Sequence, residues 1–144
     1  MSILGTKAPV IYDLNLILQI VIMVILFAGA YYAKRKMKFE LHGRVMALAL
    51  LLNAISTIFV MAPRLFETLS YLASTLVQVP TELALVHPIL GGLAEILGFI
   101  VLASLRPCGL KMGRKIRYLM RATFVIWTLA FLFGLSVYIA FYVF

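Results

Sequence analysis

The chain has 144 residues, 65% of them hydrophobic and 12% charged, with a formal net charge of +8 and a mean hydropathy of +1.10. A soluble domain carries about twice that charged fraction, so the composition excludes a soluble globular protein and predicts an integral membrane protein. A single membrane domain over 1–144 is the natural unit, because no composition break, low-complexity linker or internal repeat divides the chain.

The position of the charges decides how the basic excess is read. Lys34, Arg35, Lys36, Lys38 and Arg44 form one block, and Arg106, Lys111, Arg114, Lys115, Arg117 and Arg121 form another. Both blocks flank apolar segments, the pattern of basic loops retained in the cytoplasm. Anionic lipid headgroups account for these charges, and no nucleic-acid partner is needed.

In chain order, the first apolar run, 10–33, is followed rather than preceded by its basic cluster and is longer than the apolar core of a secretory signal. It predicts a retained membrane helix with its N-terminus outside. Tyr12, Asn15, Gln19, Ile22, Leu26 and Gly29 recur on one of its faces, and the small and polar character of that face turns it inward. A basic loop, 34–40, leads into a second span, 41–62, on which His42, Met46, Ala49, Asn53 and Ser56 share a face. Pro63, which lacks a donor, is expected to end that helix. In the segment 65–79, Leu65, Leu69, Leu72, Leu76 and Val79 form one stripe and Glu67, Ser70, Ser74 and Gln78 another. That pattern predicts a short amphipathic helix on the outer surface.

A third span, 83–105, follows Pro80, with Thr81 as its cap and Glu82 in its first turn, and is closed by Arg106 and Pro107. After the second basic loop, 106–117, a fourth span, 118–142, runs outward with Trp127 in its body. Tyr138 and Tyr142 fall near its outer end, where aromatic side chains favour the interface. The expected fold is all-α: a polytopic four-transmembrane-helix bundle with both termini outside and both basic loops in the cytoplasm.

The chemistry concentrates on the third span. His87, Gly91, Glu95 and Gly98 lie on one stripe with Gly92 and Ala94 at its margins, while Leu90, Leu93, Ile96, Leu97 and Ile100 form an opposite face suited to lipid. Glu95 is the one acid that this reading puts inside the membrane. Its charged form there costs at least a few kcal/mol, which makes it a functional-site candidate. Counted along their helices, Asn53 and Glu95 come to matching depth, with Gln19 somewhat nearer the outer side. A protonated Glu95 donating to Asn53 is the expected contact. It reads equally as interhelical glue, worth under about 2 kcal/mol, or as a working group.

The two histidines lie near opposite faces, His42 inner and His87 outer, separated by most of about 30 Å of hydrocarbon. One haem or metal in a single chain therefore cannot take both. Packing alone would pair His87 with Asp13, Asn15 or Glu82 and leave His42 among the headgroups. Met46 lies one turn from His42, and such a pair can hold copper or an axial haem position. Cys108, the single cysteine, forms no internal disulfide and reads as a reduced cytoplasmic thiol. The absence of paired catalytic carboxylates, a nucleophile with a base, a phosphate loop or a cysteine cluster argues against an autonomous enzyme.

His42-Gly43-Arg44-Val45-Met46 at the start of the second span, His87 at the head of the third, the basic loop, and Arg121-Ala122-Thr123-Phe124-Val125-Ile126-Trp127 leading into Gly134-Leu135-Ser136-Val137-Tyr138 together resemble the YozB-like family of small bacterial and archaeal membrane proteins. The resemblance covers about residues 40–142. Some members of that family are associated with assembly of haem-copper terminal oxidases. The resemblance implies an accessory or assembly factor of a respiratory haem- or copper-containing complex in a prokaryotic cytoplasmic membrane, with His42, Met46, His87 and Trp127 as the positions to watch. The chain departs from the family in placing Glu95 inside the third span and in its few loop histidines. Partners expected are the bilayer and a membrane protein or a second copy. Two other functions stay open: a b-type haem or quinone-linked electron carrier, and a small oligomeric transporter or channel using Glu95.

Overall fold

Inside hydrocarbon an apolar chain can satisfy its backbone polar groups by itself only as helix, and four stretches of this chain do so. The computed structural model describes residues 3–35, 39–74, 81–105 and 114–143. The helices are α1 (Val10–Arg35), α2 (Phe39–Ser56), α3 (Ala62–Ser74), α4 (Thr81–Leu105) and α5 (Arg114–Tyr142), with a π-helical turn, Thr57–Met61, joining α2 to α3. Four runs, Val10–Arg35, Glu40–Glu67, Leu85–Ser104 and Arg114–Tyr142, are long and apolar enough to cross a membrane. The protein is an integral membrane protein built as an all-α bundle.

α1 packs on α2 and α4 on α5, and the two pairs meet more lightly, α2 on α4 and α1 on α5. The order around the bundle is therefore α1, α2, α4, α5. Lys7 N–H donates to the Tyr142 carbonyl at 3.0 Å, so both chain ends share one end of the bundle, the terminal end. Arg35, Phe39, Leu105 and Arg114 mark the opposite, loop end.

Small residues set the close crossings. A Cβ at Gly29 on α1 would collide with the Met46 Cε of α2 and come within 3.2 Å of Val45 Cγ1. A Cβ at Gly98 on α4 would meet Leu50 Cδ1 at 2.7 Å, and one at Gly134 on α5 would meet the His87 ring at 2.6 Å. Close approach of this kind is what brings membrane helices into van der Waals packing. Ile22, Met23, Leu26, Ala49, Leu50, Ala94 and Trp127 form the buried apolar core. Val24, Ile58, Phe59, Ile89 and Ile96 are exposed on the outside, the surface that hydrocarbon covers.

The structure departs from the sequence reading at Pro63. The helix does not end there: the Ala62 N–H bonds to the Thr57 carbonyl across a π turn, and α3 continues directly from it. The wide turn relieves the clash of the proline ring with the preceding carbonyls and absorbs the missing donor. The expected amphipathic helix is present as α3, but it continues directly from the second span through the π turn, and residues 75–79 of the expected segment, like Pro80, lie outside the described residues. Helix ends also move: α1 runs through Lys34 and Arg35, α4 takes in Thr81 and Glu82, and α5 begins at Arg114. Basic residues in a helix's last turn favour its extension, since they complement the dipole. Residues 36–38 and 106–113 of the basic loops, Cys108 among them, lie outside the described residues.

Candidate functional site

The polar face of α1 and that of α2 meet in the terminal half of the bundle. Gln19 Nε2 donates to Asn53 Oδ1 at 3.1 Å and to Ser56 Oγ at 3.1 Å, and Ser56 Oγ–H donates to Asn15 Oδ1 at 2.5 Å. With its amide oxygen taken by Gln19, Asn53 turns its Nδ2 toward α4 and donates to Glu95 Oε2. Sequence depth counting foresaw this meeting of Glu95, Asn53 and Gln19. The direction of the Glu95 bond is the reverse of the expected one, because the Asn53 amide points its oxygen to Gln19 and its Nδ2 to Glu95. Glu95 is 9% exposed, and its Oε1 is the one buried side-chain oxygen or nitrogen among the described residues without a hydrogen-bond partner.

An open cavity of about 820 Å³ lies above this network toward the terminal end. Gln19, Asn53 and Trp127 lie at its deep end, and Tyr12, Arg64, Glu67 and Tyr142 at the terminal end, where the exposed Arg64 and Glu67 side chains form a rim. Gly91 and Gly92 line its wall, and a Cβ at either would meet nothing within 4 Å. These glycines of the α4 stripe therefore widen the cavity rather than bring helices together. At the rim the Arg64 guanidinium lies 5.5 Å from the centre of the Tyr12 ring and 3.1 Å from Glu67.

His87 is on the cavity wall, and its Nδ1 lies 2.8 Å from the Ala130 carbonyl. A carbonyl only accepts, so Nδ1 carries the proton and Nε2 of the neutral ring keeps its lone pair. This is the arrangement of a metal- or haem-binding histidine, whose other nitrogen is held by a backbone carbonyl. The Nδ1 partner is on α5, where Gly134 leaves room for the ring, and not Asp13 or Asn15; the expected alternative Glu82 has its side chain outside the described residues.

His42 has the same Nδ1 arrangement, 2.8 Å from the Gly29 carbonyl, yet it is buried in the α1–α2 crossing and not among headgroups. Met46 fills the Gly29 notch beside it. The structure brings His42 and Met46 to one crossing, and neither lines the cavity that His87 does. No group of three or more His, Cys, Asp or Glu side chains able to hold a metal ion forms among the described residues.

Asp13 is the residue that the sequence reading missed. It is fully buried within the first span, where it accepts from Ile3 N–H at 2.7 Å, Leu4 N–H at 3.1 Å and Thr6 Oγ1 at 3.3 Å, and from the Tyr138 hydroxyl. Glu95 is therefore not the only acid within the spans. Tyr138, expected at the lipid interface, is buried because Asp13 and Thr6 hold its hydroxyl inside. The signal available in the sequence was Asp13, three residues into an apolar run and adjacent to Tyr12 at the edge of the polar face. No protein-family model, curated protein or solved structure matches the chain.

Proposed function

We propose that this integral membrane protein is a non-enzymatic accessory factor that carries a planar amphiphilic cofactor, haem by preference, for a respiratory membrane complex. The observation that carries the reading is His87, tautomer-locked by the Ala130 carbonyl, on the wall of an apolar and aromatic cavity of about 820 Å³. Pockets of roughly 300–1,000 Å³ suit cofactor-sized ligands. His87 is the residue to hold the iron, Trp127, Phe131 and Leu135 to pack against a macrocycle, and Arg64 at the rim to meet an acidic substituent. Haem bound there would supply a redox-active iron. Copper is the poorer fit, since His42 and Met46 are spent in packing at Gly29. On the basic-loop rule the cavity opens outside the cytoplasm.

The channel reading is weaker, because the apolar core from Ile22 to Leu26 and from Ala49 to Leu50 fills the loop half of the bundle. The test is a haem titration of the detergent-purified protein followed by its Soret band, with binding expected at one site per chain. His42→Ala should bind as the parent does and His87→Ala should lose the shifted band. A parent protein that binds no haem, or a His87→Ala variant that binds as well as the parent, overturns the reading.

A further inference from the structure

The bundle is asymmetric about Glu95. On the terminal side lie the open cavity and the hydrogen-bonded side chains Asn15, Ser56, Gln19 and Asn53, which lead from the cavity to the carboxyl. On the loop side, Ile22, Met23 and Leu26 of α1, Ala49 and Leu50 of α2 and Trp127 of α5 close the interior, and Leu50 fills the notch at Gly98, one turn beyond Glu95. The carboxyl itself is half engaged: Asn53 holds Oε2, and Oε1 has no partner. A buried oxygen left unpaired carries a desolvation cost unless it takes a ligand, and the smallest ligand that fits a carboxylate oxygen closed off on the loop side is a proton.

We infer that Glu95 is a proton-binding site which loads and unloads from the terminal-end cavity alone, with Asn53 and Gln19 holding the carboxyl in place beside the cavity and relaying no proton themselves. Loading forms one O–H bond at Oε1, with hydronium of the aqueous phase as the donor and water as the product; unloading reverses it. Asn53 keeps its bond to Oε2 in both states. No other titratable group shares this depth: α1 has none between Asp13 and Tyr31, α2 and the π turn none between Arg44 and Arg64, and α5 none between Arg121 and Tyr138. On α4 the nearest is His87, about 12 Å away by helix rise. Glu95 therefore responds to the proton activity of one compartment and passes nothing across the bundle. This assignment does not rest on haem binding at His87, and because haem would occupy the same cavity it is tested on the haem-free protein.

The experiment uses dicyclohexylcarbodiimide, which adds to protonated carboxyls in apolar surroundings, on the full chain in sealed vesicles whose orientation is read by protease cleavage of an N-terminal tag. The adduct is located by peptide mass, and pH is set separately on the two sides. Labelling of Glu95 should fall as the pH on the terminal side rises and ignore the pH on the loop side. Glu95→Gln, which keeps an oxygen for Asn53, should lose the adduct. Gly91→Leu, whose Cβ would meet nothing within 4 Å and whose branched end would occupy the cavity, should keep the adduct and slow its response to a pH jump on the terminal side. No adduct at any pH, an adduct that follows the loop-side pH, or a Gly91→Leu response as fast as the parent's overturns the assignment.

Discussion

Two buried acids divide the polar chemistry of this protein, and their surroundings assign them different work. Asp13 has a full set of donors: two backbone N–H groups, the Thr6 hydroxyl and the Tyr138 hydroxyl. It ties the N-terminal arm to α5 and is structural. Glu95 has one donor and a bare oxygen. Asp13→Ala should therefore destabilise the protein by at least one charged hydrogen bond, about 1.5–3 kcal/mol, measured by unfolding in mixed micelles. Tyr138→Phe should cost less, since it removes one donor and leaves Asp13 its backbone partners. A stability loss at Glu95→Gln equal to that at Asp13→Ala would make Glu95 structural as well.

At the scale of the helices, the glycines that look alike in the sequence do opposite things. Gly134 makes room for the His87 ring, and Gly91 makes room for nothing but the cavity. Gly134→Ala should force the imidazole off the Ala130 carbonyl, cost about 1–3 kcal/mol as an overpacked crossing, and weaken haem binding as His87→Ala does. Gly91→Ala should be neutral, or stabilising by up to about 1 kcal/mol from helix propensity. Thermal unfolding of the two variants side by side checks the contrast. Pro63 teaches the same lesson in reverse. A proline predicted to stop a helix is carried through by a π turn, and that keeps α3 close enough for Arg64 and Glu67 to form the cavity rim beside Tyr12.

Across the whole molecule, an open terminal half is joined to a closed loop half. Single cysteines placed in a Cys108→Ser background should report that division through a water-soluble thiol reagent. Leu16→Cys and Leu135→Cys, on the cavity wall, should react from the terminal side, and Met23→Cys and Leu50→Cys, in the core, should resist from either side. Labelling of the core positions would mean that water reaches the loop half and that the closed arrangement is wrong.

The amino-acid sequence by itself determined that four helices cross a membrane, which face of α1 and α2 carries the polar groups, and that Glu95, Asn53 and Gln19 share a depth. These follow from apolar run length and the 3.6-residue period, both local properties of the chain. Tertiary structure alone decided which partner each polar group takes. His87 meets a backbone carbonyl of α5, His42 one of α1, and Asp13 reaches the far end of the chain at Tyr138. The physical reason is that helix order and rotation are set by where small residues permit close crossing. A periodicity shows that a face is polar or small, but it does not show whether a glycine on that face receives a neighbour, as Gly29 and Gly134 do, or leaves a space, as Gly91 does.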